Sequence, residues 1–460
     1  MNENLTEDCS SHLKSDRLPV MEKDISLEPG YRLDPVVTGL TYPTSVTFDD
    51  EGNVFVGEAG YSYGPAKSDG MGRILKVGMN GKITEVARGF RGPMTSITWH
   101  NGFFYVAEGA YPGSIVRVSK DGQRKVLVKG LRSGGDHFTS EIAFARDGTM
   151  FFGVGSFTNS AIIGLDNFFG GWLPQLRRQH DVPCRNYVLV GRNYVSPDPF
   201  ALVDAKLNLV QTGAFKPFGV PSYPGEVISG QLFSNGVLYR SNPDGSGMHV
   251  FADGFRNLFG LGFSPDGRLY AVDHGYDERG SRPIAESPDP LWAVIPGGWY
   301  GWPDFVAGEP VTSPKFRPPG QPQPQFVLAM HPPLADRPVV NFAHHSATMK
   351  FCFSINPAFG FKNEMFAAQY GANVPFTGRE KETAGFKVVR VDLQTRQIRD
   401  FLVLNRPGPG GTGPARPVDV KFDPGGNHLY IVDFGVMEAD LSGIIPWARA
   451  GALWRIKRKR

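Results

Sequence analysis

Short stretches of alternating apolar and polar residues recur along this chain, and a turn separates each pair of stretches. The clearest example lies within Gly254–Pro283, where the turn Ser264–Gly267 separates two runs of strand-forming residues: Leu261 and Phe263, then Leu269, Tyr270 and Val272. Apolar runs joined by a Ser-Pro-Asp-Gly turn predict a β-hairpin. The second strand ends in Asp273–Glu278, where polar and acidic groups gather. Functional groups are often found on such loops, because a rigid scaffold holds them.

The same hairpin pattern occurs six times. The copies begin at Gly39, Gly89, Gly135, Gly254, Ser346 and Ala415. Most copies are followed by a third strand of one type, as in GRILKV, GSIVRV, GVLYRS, GFKVVRV and GALWRI, and turns then lead to a fourth strand. Six four-stranded antiparallel units predict an all-β fold, a six-bladed β-propeller. Several unrelated β-sandwiches would not explain the recurring motifs.

The ends of the chain suggest how the ring closes. The terminal strand Gly451–Lys457 has no downstream partner, so we expect Tyr31–Val37 to pair with it as the outer strand of the last blade. Residues 1–28 are polar and are expected to be loosely ordered, whereas residues 29–460 form a single propeller. Two irregular stretches, residues 157–231 and 281–345, each follow the second strand of a copy. This position would place both on the face where propellers usually bind ligands.

Composition supports the β fold and excludes several classes of protein. The chain has 460 residues, of which 57 are glycine and 38 are proline, and this content favours short strands joined by tight turns. The net charge is +3, and the one strong basic cluster, Arg455–Arg460, is more typical of a solvated terminus than of a nucleic-acid contact. Cys9, Cys184 and Cys352 are too scattered for a disulfide framework or a thiolate metal site.

The sequence shows neither a membrane-spanning segment nor a secretory signal. No apolar run is long enough to span a membrane. The N-terminus lacks the basic start and apolar core of a secretory signal, which predicts a cytoplasmic protein or one whose leader has been removed.

Carboxylates occupy equivalent strand ends in four copies, at Glu58, Glu108, Asp273 and Asp433. For three of them we favour a structural role, in which the carboxylate accepts backbone N–H groups and caps a turn. The segment after Asp273 differs, because carbonyls near Gly275 and Tyr276 lie beside the carboxylates of Asp277 and Glu278. Calcium takes six to eight oxygen ligands from such a mixture. The segment is therefore equally consistent with a capped turn and with a calcium site.

His137 is a candidate general base. It follows Gly134 and Gly135, which allow the backbone to approach another group closely, and it precedes a strand expected beside the central channel. An imidazole with a near-neutral pKa suits proton abstraction there, although a lone histidine is more often a hydrogen-bonded bystander. His344 and His345 are adjacent, and adjacent residues on a strand point to opposite faces, which disfavours a metal-binding pair.

Arginines precede the inner strand in several copies. Arg256 is followed by Asn257 in the fourth copy, and Arg416 and Arg91 stand at matching places in the last and second copies. A ring of arginines around a channel would bind a polyanion or a carboxylated cofactor. Salt bridges to neighbouring blades explain each arginine equally well.

These motifs resemble the soluble quinoprotein glucose/sorbosone dehydrogenases, six-bladed propellers that use pyrroloquinoline quinone (PQQ) and calcium. The most specific matches are GDHFTSEIAFARDGTMFFGVGS, GFRNLFGLGFSPDGRLYAVDHG and WYGWPDF, and the resemblance extends from about Tyr31 to Ile456. It implies oxidation of a sugar or alcohol carbon, with electrons passing to an external acceptor. It also implies export to the periplasm or the cell exterior. No nucleic-acid partner and no membrane span are expected.

The resemblance also implies roles for single residues. His137 corresponds to the base that takes the proton of the substrate hydroxyl. Arg256 and Asn257 correspond to a pair that contacts quinone and substrate, and Arg416 to an arginine that binds a quinone carboxylate. The family's quinone-contacting lysine falls near Gln369, which we expect in its place, since no lysine lies in register here.

Calcium is the second implied cofactor. The family's metal is held by backbone carbonyls that correspond to Gly275 and Tyr276. We expect Asp277 or Glu278 to bind the ion as well, or to support its ligands.

Two other functions remain open from the sequence. A calcium-dependent lactonase or esterase would need carboxylate and amide ligands from different blades, and the candidates are Glu58, Glu108, Asn257 and Asp433. A non-catalytic binding propeller would keep the scaffold for contacts with a partner.

Overall fold

The strands form six antiparallel sheets arranged in a closed ring. The computed structural model describes residues 17–60, 72–78, 80–109, 111–201, 208–379, 384–440 and 443–459. Each inner strand contacts the next around the ring, and the last contacts the first. In chain order these inner strands are Pro43–Phe48, Met94–His100, Thr139–Phe144, Leu258–Phe263, Thr348–Phe353 and Pro417–Phe422. The fold is a six-bladed β-propeller, as predicted.

Blades 1 to 3, numbered in chain order, have four strands each. Blade 1 consists of Pro43–Phe48, Val54–Glu58, Gly72–Val77 and Ile83–Phe90. Blade 2 consists of Met94–His100, Phe103–Glu108, Gly113–Ser119 and Arg124–Leu131. Blade 3 consists of Thr139–Phe144, Met150–Val154, Val237–Ser241 and His249–Asp253. The third strand of each blade coincides with one of the recurring third-strand motifs.

Blades 4 to 6 complete the ring. Blade 4 consists of Leu258–Phe263, Leu269–Asp273, Asp289–Ala293 and Val340–Phe342. Blade 5 has five strands, Thr348–Phe353, Met365–Gln369, Lys387–Asp392, Gln397–Leu404 and Ile25–Leu27. Blade 6 consists of Pro417–Phe422, His428–Asp433, Gly451–Arg458 and Tyr31–Leu40.

The turn in the inner hairpin of blade 4 explains why its sequence folds this way. The Gly267 N–H donates to the Ser264 carbonyl at 2.8 Å, and the Ser264 N–H donates to the Arg268 carbonyl at 2.9 Å. Gly267 has φ of 88°, a left-handed conformation that favours glycine. Glycines with positive φ close the same turn in other blades, at Gly52, Gly148 and Gly426.

The chain closes the ring with its first long strand. Tyr31–Leu40 pairs antiparallel with Gly451–Arg458, so the predicted pairing is present and the strand continues to Leu40. A shorter strand, Ile25–Leu27, follows the 3₁₀ turn Glu22–Asp24 and pairs with Gln397–Leu404 of blade 5. The boundary expected at residue 28 therefore does not coincide with the edge of the propeller.

Two insertions interrupt the blades. The first separates the second and third strands of blade 3 and contains the helix Leu165–Phe169 and two small sheets: Tyr187–Val188 with Val227–Ile228, and Asn193–Pro197 with Leu209–Gly213. The stretch 281–345 was expected to be irregular throughout, but it contains the last two strands of blade 4. The strand Asp289–Ala293 was not predicted, because it lacks the glycine found at the start of the other third strands. The remaining short elements are Phe305–Val306 with Glu309–Pro310, the 3₁₀ turn Pro314–Phe316, and Met437–Asp440 with Gly443–Pro446.

The insertions pack against each other. The guanidinium of the buried Arg282 donates to the Ser160 carbonyl at 3.1 Å and to the Asp304 carboxylate at 2.7 Å, which joins the two segments. Their shared apolar core includes Ala161, Ile162, Tyr187, Phe215, Tyr276, Trp299, Trp302 and Phe316. The described residues include no helix that is both long and apolar enough to cross a membrane.

Candidate functional site

A cavity of about 170 Å³ lies at one end of the channel. Every blade contributes to its lining, which includes Thr44, Thr95, His137, Asn257, Tyr370 and Val418. The ammonium of the buried Lys350 crosses the channel and donates to the Thr44 and Thr95 carbonyls, at 3.0 and 2.8 Å. The loops that lead into the inner strands, here called leading loops, supply many of the groups that face this cavity.

Carboxylates at the ends of second strands hold the leading loops in place. In four blades the carboxylate accepts the backbone N–H of a residue 17 positions earlier. The pairs are Thr41 with Glu58 at 2.8 Å, Arg91 with Glu108 at 2.9 Å, Arg256 with Asp273 at 3.2 Å and Arg416 with Asp433 at 2.8 Å. The structural role predicted for Glu58, Glu108 and Asp433 is confirmed. Among the described residues, none of these three carboxylates lines the cavity.

His137 lines the cavity in a fixed tautomer. Its Nδ1 lies 2.8 Å from the Ser156 carbonyl oxygen and 3.1 Å from the Ser156 hydroxyl. A carbonyl oxygen only accepts, so Nδ1 carries the proton and Nε2 keeps its lone pair. Burial, together with the positive charges of Arg256 and Arg279, holds the pKa of His137 well below its ordinary value. The ring is therefore neutral at neutral pH and able to accept a proton at Nε2.

Two glycines make room for His137. A Cβ on Gly155 would lie 2.5 Å from the His137 Cβ, and a Cβ on Gly135 would lie 2.5 Å from Phe157. Gly135 also has φ of 79°. Larger residues at either position would displace the leading loop of blade 3 and the imidazole with it.

A network of buried charges surrounds His137. The Arg256 guanidinium lies 2.8 Å from the Asp277 carboxylate, and Arg279 lies 3.0 Å from the same carboxylate. Arg279 also contacts Asp136 and Asp166, each at 2.7 Å. Against the effect of burial, the two arginines hold the pKa of Asp277 below its usual value. Burial raises the pKa of Asp166 to about 6.

Asn257 and His274 hold each other in place through a hydrogen bond. The Asn257 amide nitrogen donates to His274 Nδ1 at 2.9 Å, and His274 Nε2 donates to the Thr348 carbonyl at 2.8 Å. Both ring nitrogens of His274 are thus engaged, so His274 orients Asn257 and has no free nitrogen to accept a proton. The role of His274 was not predicted, although it stands directly after the second strand of blade 4.

The loop predicted to bind calcium is tightly packed. The Gly275 N–H donates to Asp289 at 2.8 Å, and the Tyr276 N–H donates to the Ser287 hydroxyl at 2.8 Å. A Cβ on Gly275 would lie 2.4 Å from the Pro288 carbonyl oxygen, so only glycine fits there. In the described part of the chain, no donor hydrogen-bonds to the carbonyl oxygen of Gly275 or Tyr276.

The neighbouring carboxylates are placed differently. Asp277 lines the cavity but is engaged by two arginines, and the Glu278 side chain is not among the described residues that line the cavity. The described residues contain no group of three or more His, Cys, Asp or Glu that could hold a metal. A role for Asp277 or Glu278 in calcium binding stays a prediction, and the backbone carbonyls are the better-placed ligands.

Arg416 and Gln369 support the cavity wall from behind. The Arg416 guanidinium donates to the Gly371 and Ala372 carbonyls at 3.2 and 3.3 Å, and Gln369 donates to the Thr348 hydroxyl at 3.1 Å. Neither side chain belongs to the described lining of the cavity. The structure therefore gathers six of the predicted residues at the cavity, His137, Arg256, Asn257, Gly275, Tyr276 and Asp277.

The segment from Gly225 to Leu334 connects this site to known proteins. Residues 225–334 match the family model "Glucose / Sorbosone dehydrogenase", and they include the Arg256–Asn257 pair and the Gly275–Tyr276 loop. The predicted resemblance to the glucose/sorbosone dehydrogenases is confirmed. Quinoprotein glucose dehydrogenase B from Acinetobacter calcoaceticus is 34% identical over 89 residues. That match spans 19% of this chain and 16% of the length of the relative.

Solved structures share the fold over nearly the whole chain. The holo form of the PQQ domain of pyranose dehydrogenase from Coprinopsis cinerea is 17% identical, with a TM-score of 0.58 and coverage of 96% of this chain and 98% of the other. The calcium structure of a Trichoderma reesei protein of carbohydrate-active family AA12 is 15% identical, with a TM-score of 0.57 and coverage of 96% and 99%. At these identities the likeness establishes the propeller alone.

Proposed function

We propose that this chain is a quinone-dependent dehydrogenase that oxidises a hydroxyl-bearing carbon of a sugar or alcohol. The observation that carries the proposal is His137, a buried and neutral imidazole whose free nitrogen belongs to a ring lining the cavity. A base of this kind suits removal of a hydroxyl proton. The match to the glucose/sorbosone dehydrogenases supports the same chemistry.

The loop beside His137 fits calcium. Calcium prefers oxygen ligands and often binds backbone carbonyls. The Gly275 and Tyr276 carbonyl oxygens accept no hydrogen bond from the described residues, and the surrounding contacts hold both residues in place. The calcium structure of the Trichoderma relative adds support.

The part of the cavity lining beside the Gly275–Tyr276 loop also fits PQQ. Arg256 and Asn257 adjoin the Gly275–Tyr276 loop and would hold PQQ there. The Coprinopsis structure, a PQQ domain in its holo form, is consistent with such a cofactor. When bound, the quinone would supply the hydride acceptor, and calcium would supply a Lewis acid that makes it a better one. The lining contains two arginines and three aspartates: Arg256, Arg279, Asp136, Asp277 and Asp289. Since carboxylates outnumber guanidinium groups in this lining, calcium would add positive charge that favours a carboxylated quinone.

The chain's own residues perform the proton transfer. His137 Nε2 accepts the proton of the substrate hydroxyl, while the Ser156 carbonyl keeps Nδ1 protonated and the ring in place. Arg256 adds positive charge beside the substrate oxygen, and Asp277 fixes its guanidinium at 2.8 Å. The Asn257 amide is oriented by His274.

The hydrolase alternative lacks its metal ligands in the described residues. Glu58, Glu108 and Asp433 hold leading loops and do not line the cavity. Of the four candidate ligands, Asn257 alone lines the cavity in the described part of the chain. The dehydrogenase proposal uses the Gly275 and Tyr276 carbonyls, and the other oxygens of calcium's six to eight would come from PQQ and water.

The experiment is a turnover assay with purified protein, PQQ, calcium and an artificial electron-accepting dye. Monosaccharides and simple alcohols serve as substrates. We expect dye reduction only when PQQ, calcium and substrate are all present. If PQQ fails to bind in the presence of calcium, and no substrate reduces the dye, the proposal is wrong and a non-catalytic binding propeller becomes the better account.

A further inference from the structure

One carboxylate in the cavity lining, that of Asp289, joins two blades. Asp289 begins the third strand of blade 4 and is 3% exposed. Its Oδ1 accepts the Gly275 N–H at 2.8 Å. Its Oδ2 accepts the Thr348 N–H at 2.8 Å and the Ser346 hydroxyl at 3.0 Å, and both of these donors belong to blade 5 or the loop that leads into it. Both oxygens are engaged, so the carboxylate is fixed between blades 4 and 5.

Blade 5 depends on this carboxylate more than its neighbours do. In the four blades whose leading loops are held by a carboxylate, that residue pairs with the first residue of the inner strand, as Asp433 does with Pro417. The corresponding position in blade 5, opposite Thr348, is Gln369, which donates its amide to the Thr348 hydroxyl. Asp289 of blade 4 therefore supplies the carboxylate that holds the leading loop of blade 5.

A closed ring of hydrogen bonds passes through Asp289. The Thr348 carbonyl accepts the proton on His274 Nε2 at 2.8 Å, and His274 precedes Gly275, whose N–H returns to Asp289. His274 also holds Asn257 at two points. Its Nδ1 accepts the side-chain amide at 2.9 Å, and its backbone N–H donates to the Asn257 carbonyl at 3.0 Å. A change at Asp289 therefore acts on Gly275 and Asn257 together.

The contact with His274 decides which atom Asn257 presents to the site. Because the amide nitrogen is directed to His274, the Oδ1 atom points the other way. A Cβ on Gly155 would lie 3.2 Å from Asn257 Oδ1 and 2.5 Å from the His137 Cβ. Asn257 thus places a hydrogen-bond acceptor beside His137, and this orientation depends on the ring that Asp289 completes.

The ring requires a carboxylate at position 289. Aspartate accepts hydrogen bonds at both oxygens, whereas asparagine has the same shape but offers one oxygen and one NH₂ group. In Asp289→Asn, either Gly275 N–H or Thr348 N–H would face another donor. The substitution therefore breaks one side of the ring without changing the volume of the side chain.

We propose that Asp289 is a positioning residue that sets two parts of the site at once, the Gly275 carbonyl that calcium would bind and the Asn257 amide that the quinone would contact. The proposal rests on the proposed function for the identity of both ligands. It adds a link between calcium binding and quinone binding that runs through blade 5.

The test measures the two affinities separately. Titration calorimetry on the full chain would give the calcium affinity without quinone, and then the PQQ affinity at saturating calcium. Mutating a residue that supports metal ligands typically costs about 10–100-fold in metal affinity, so Asp289→Asn should weaken calcium binding by about that factor. It should weaken PQQ binding about tenfold, the worth of one hydrogen bond to a charged group.

Asp419→Asn is the matched control. The buried carboxylate of Asp419, in blade 6, accepts the Val46 N–H of blade 1 at 2.9 Å, so it also joins two blades. It is not among the described residues that line the cavity. Asp419→Asn should bind calcium and PQQ as the parent does.

A double variant separates positioning from a general loss of structure. His274→Phe removes the path from Thr348 to Asn257 and should weaken PQQ binding by itself. Residues in one hydrogen-bond network are not additive, so adding Asp289→Asn to His274→Phe should lower the calcium affinity but cause no further loss of PQQ affinity. If Asp289→Asn does not fold, Ser346→Ala decides, because it removes one donor to Oδ2 and should lower both affinities by a smaller factor.

Melting temperatures identify the folded variants. The positioning role is overturned if folded Asp289→Asn binds calcium as the parent does, or if its loss of PQQ affinity is the same with and without His274→Phe. If substrate reduces the dye while the Asp289 and Ser346 variants keep both parental affinities, the positioning role fails and the proposed function stands. If the affinities change as expected but no substrate is oxidised, the positioning role stands and the proposed function fails.

Discussion

The protonation state of His137 is set by its neighbours. The Ser156 carbonyl fixes the tautomer at 2.8 Å, and burial with the charges of Arg256 and Arg279 lowers the pKa. A base is useful only while it is neutral. The lowered pKa keeps His137 neutral, as the proposed base must be, at lower pH than an unperturbed histidine, whose pKa is about 6.5.

His137→Ala should lower kcat by about 10²–10⁴-fold, since this is the usual contribution of a positioned base. In the parent, kcat should fall on the acid side only below the ordinary histidine pKa, and the variant should lack that limb. His249 makes the same Nδ1 contact with a carbonyl, at 2.9 Å, but is exposed on the outer strand of blade 3. His249→Ala is therefore the control, and parental turnover by His137→Ala would contradict the assignment.

Arg279 offers a second test of the same electrostatics. Removing one partner of a buried ion pair typically costs about 3–5 kcal/mol, so Arg279→Met should lower the free energy of unfolding by about that amount. Because Arg279 lowers the pKa of His137, its loss should also raise that pKa and move the acid limb of kcat to higher pH.

Denaturant unfolding and a pH–rate profile would measure both effects. Arg88→Met is the control, because its ion pair with Glu85 is exposed and such pairs contribute at most about 1 kcal/mol. An unchanged pH profile in folded Arg279→Met would show that Arg279 does not act on the base.

His137 and His345 show what the sequence could and could not predict about single residues. The position of His137 beside the cavity was predictable from the glycines before it, which the structure explains by close packing, whereas its role as a base stays a prediction. His345 was set aside because strand residues alternate in direction, but the strand ends at Phe342, and His345 lies in a turn with φ of 58°. No local pattern in the sequence signals that the strand ends before His345.

Among the elements, the loop after the second strand of blade 4 carries the most specific requirement. Gly275 has no room for a side chain, and its N–H is held by Asp289. The hairpin before it was predictable from the Asp-Gly turn. The third strand of blade 4 was not, because Asp289–Ala293 lacks the motif of the other third strands and is recognised only by its pairing with Leu269–Asp273.

Gly275→Ala should displace this loop and weaken calcium binding. For the parent, calcium at a hundredfold excess over Kd should raise the free energy of unfolding by about 2.7 kcal/mol. The variant should lose most of this increase. Gly408→Ala is the control, because no atom lies within 4 Å of the added methyl group. Thermal melting with calcium and with a chelator would measure the difference, and an equal calcium effect in Gly275→Ala would place the ion elsewhere.

The whole molecule depends on pairing between its two ends. Tyr31–Leu40 covers the edge of blade 6, and Ile25–Leu27 covers the edge of blade 5. The first pairing was predictable, because an unpaired terminal strand requires a partner. The second was not, because three residues carry no clear strand pattern.

Deletion of residues 1–40 should expose both edges and cause aggregation or unfolding, since unpaired edge strands associate with other chains. Deletion of residues 1–16 keeps both strands and is the control. Light scattering and melting curves would compare the two proteins. A monomeric 1–40 deletion with unchanged melting would contradict the closure of the ring.

In the proposed reaction, His137 removes the hydroxyl proton of a sugar while bound quinone oxidises its carbon. The most direct measurement is the absorption spectrum of the protein loaded with PQQ and calcium, recorded without oxygen before and after sugar is added. We expect sugar to convert the spectrum to that of reduced quinone in the parent, and to do so far more slowly in His137→Ala. A quinone that binds with calcium but stays oxidised with every sugar would contradict the proposed function.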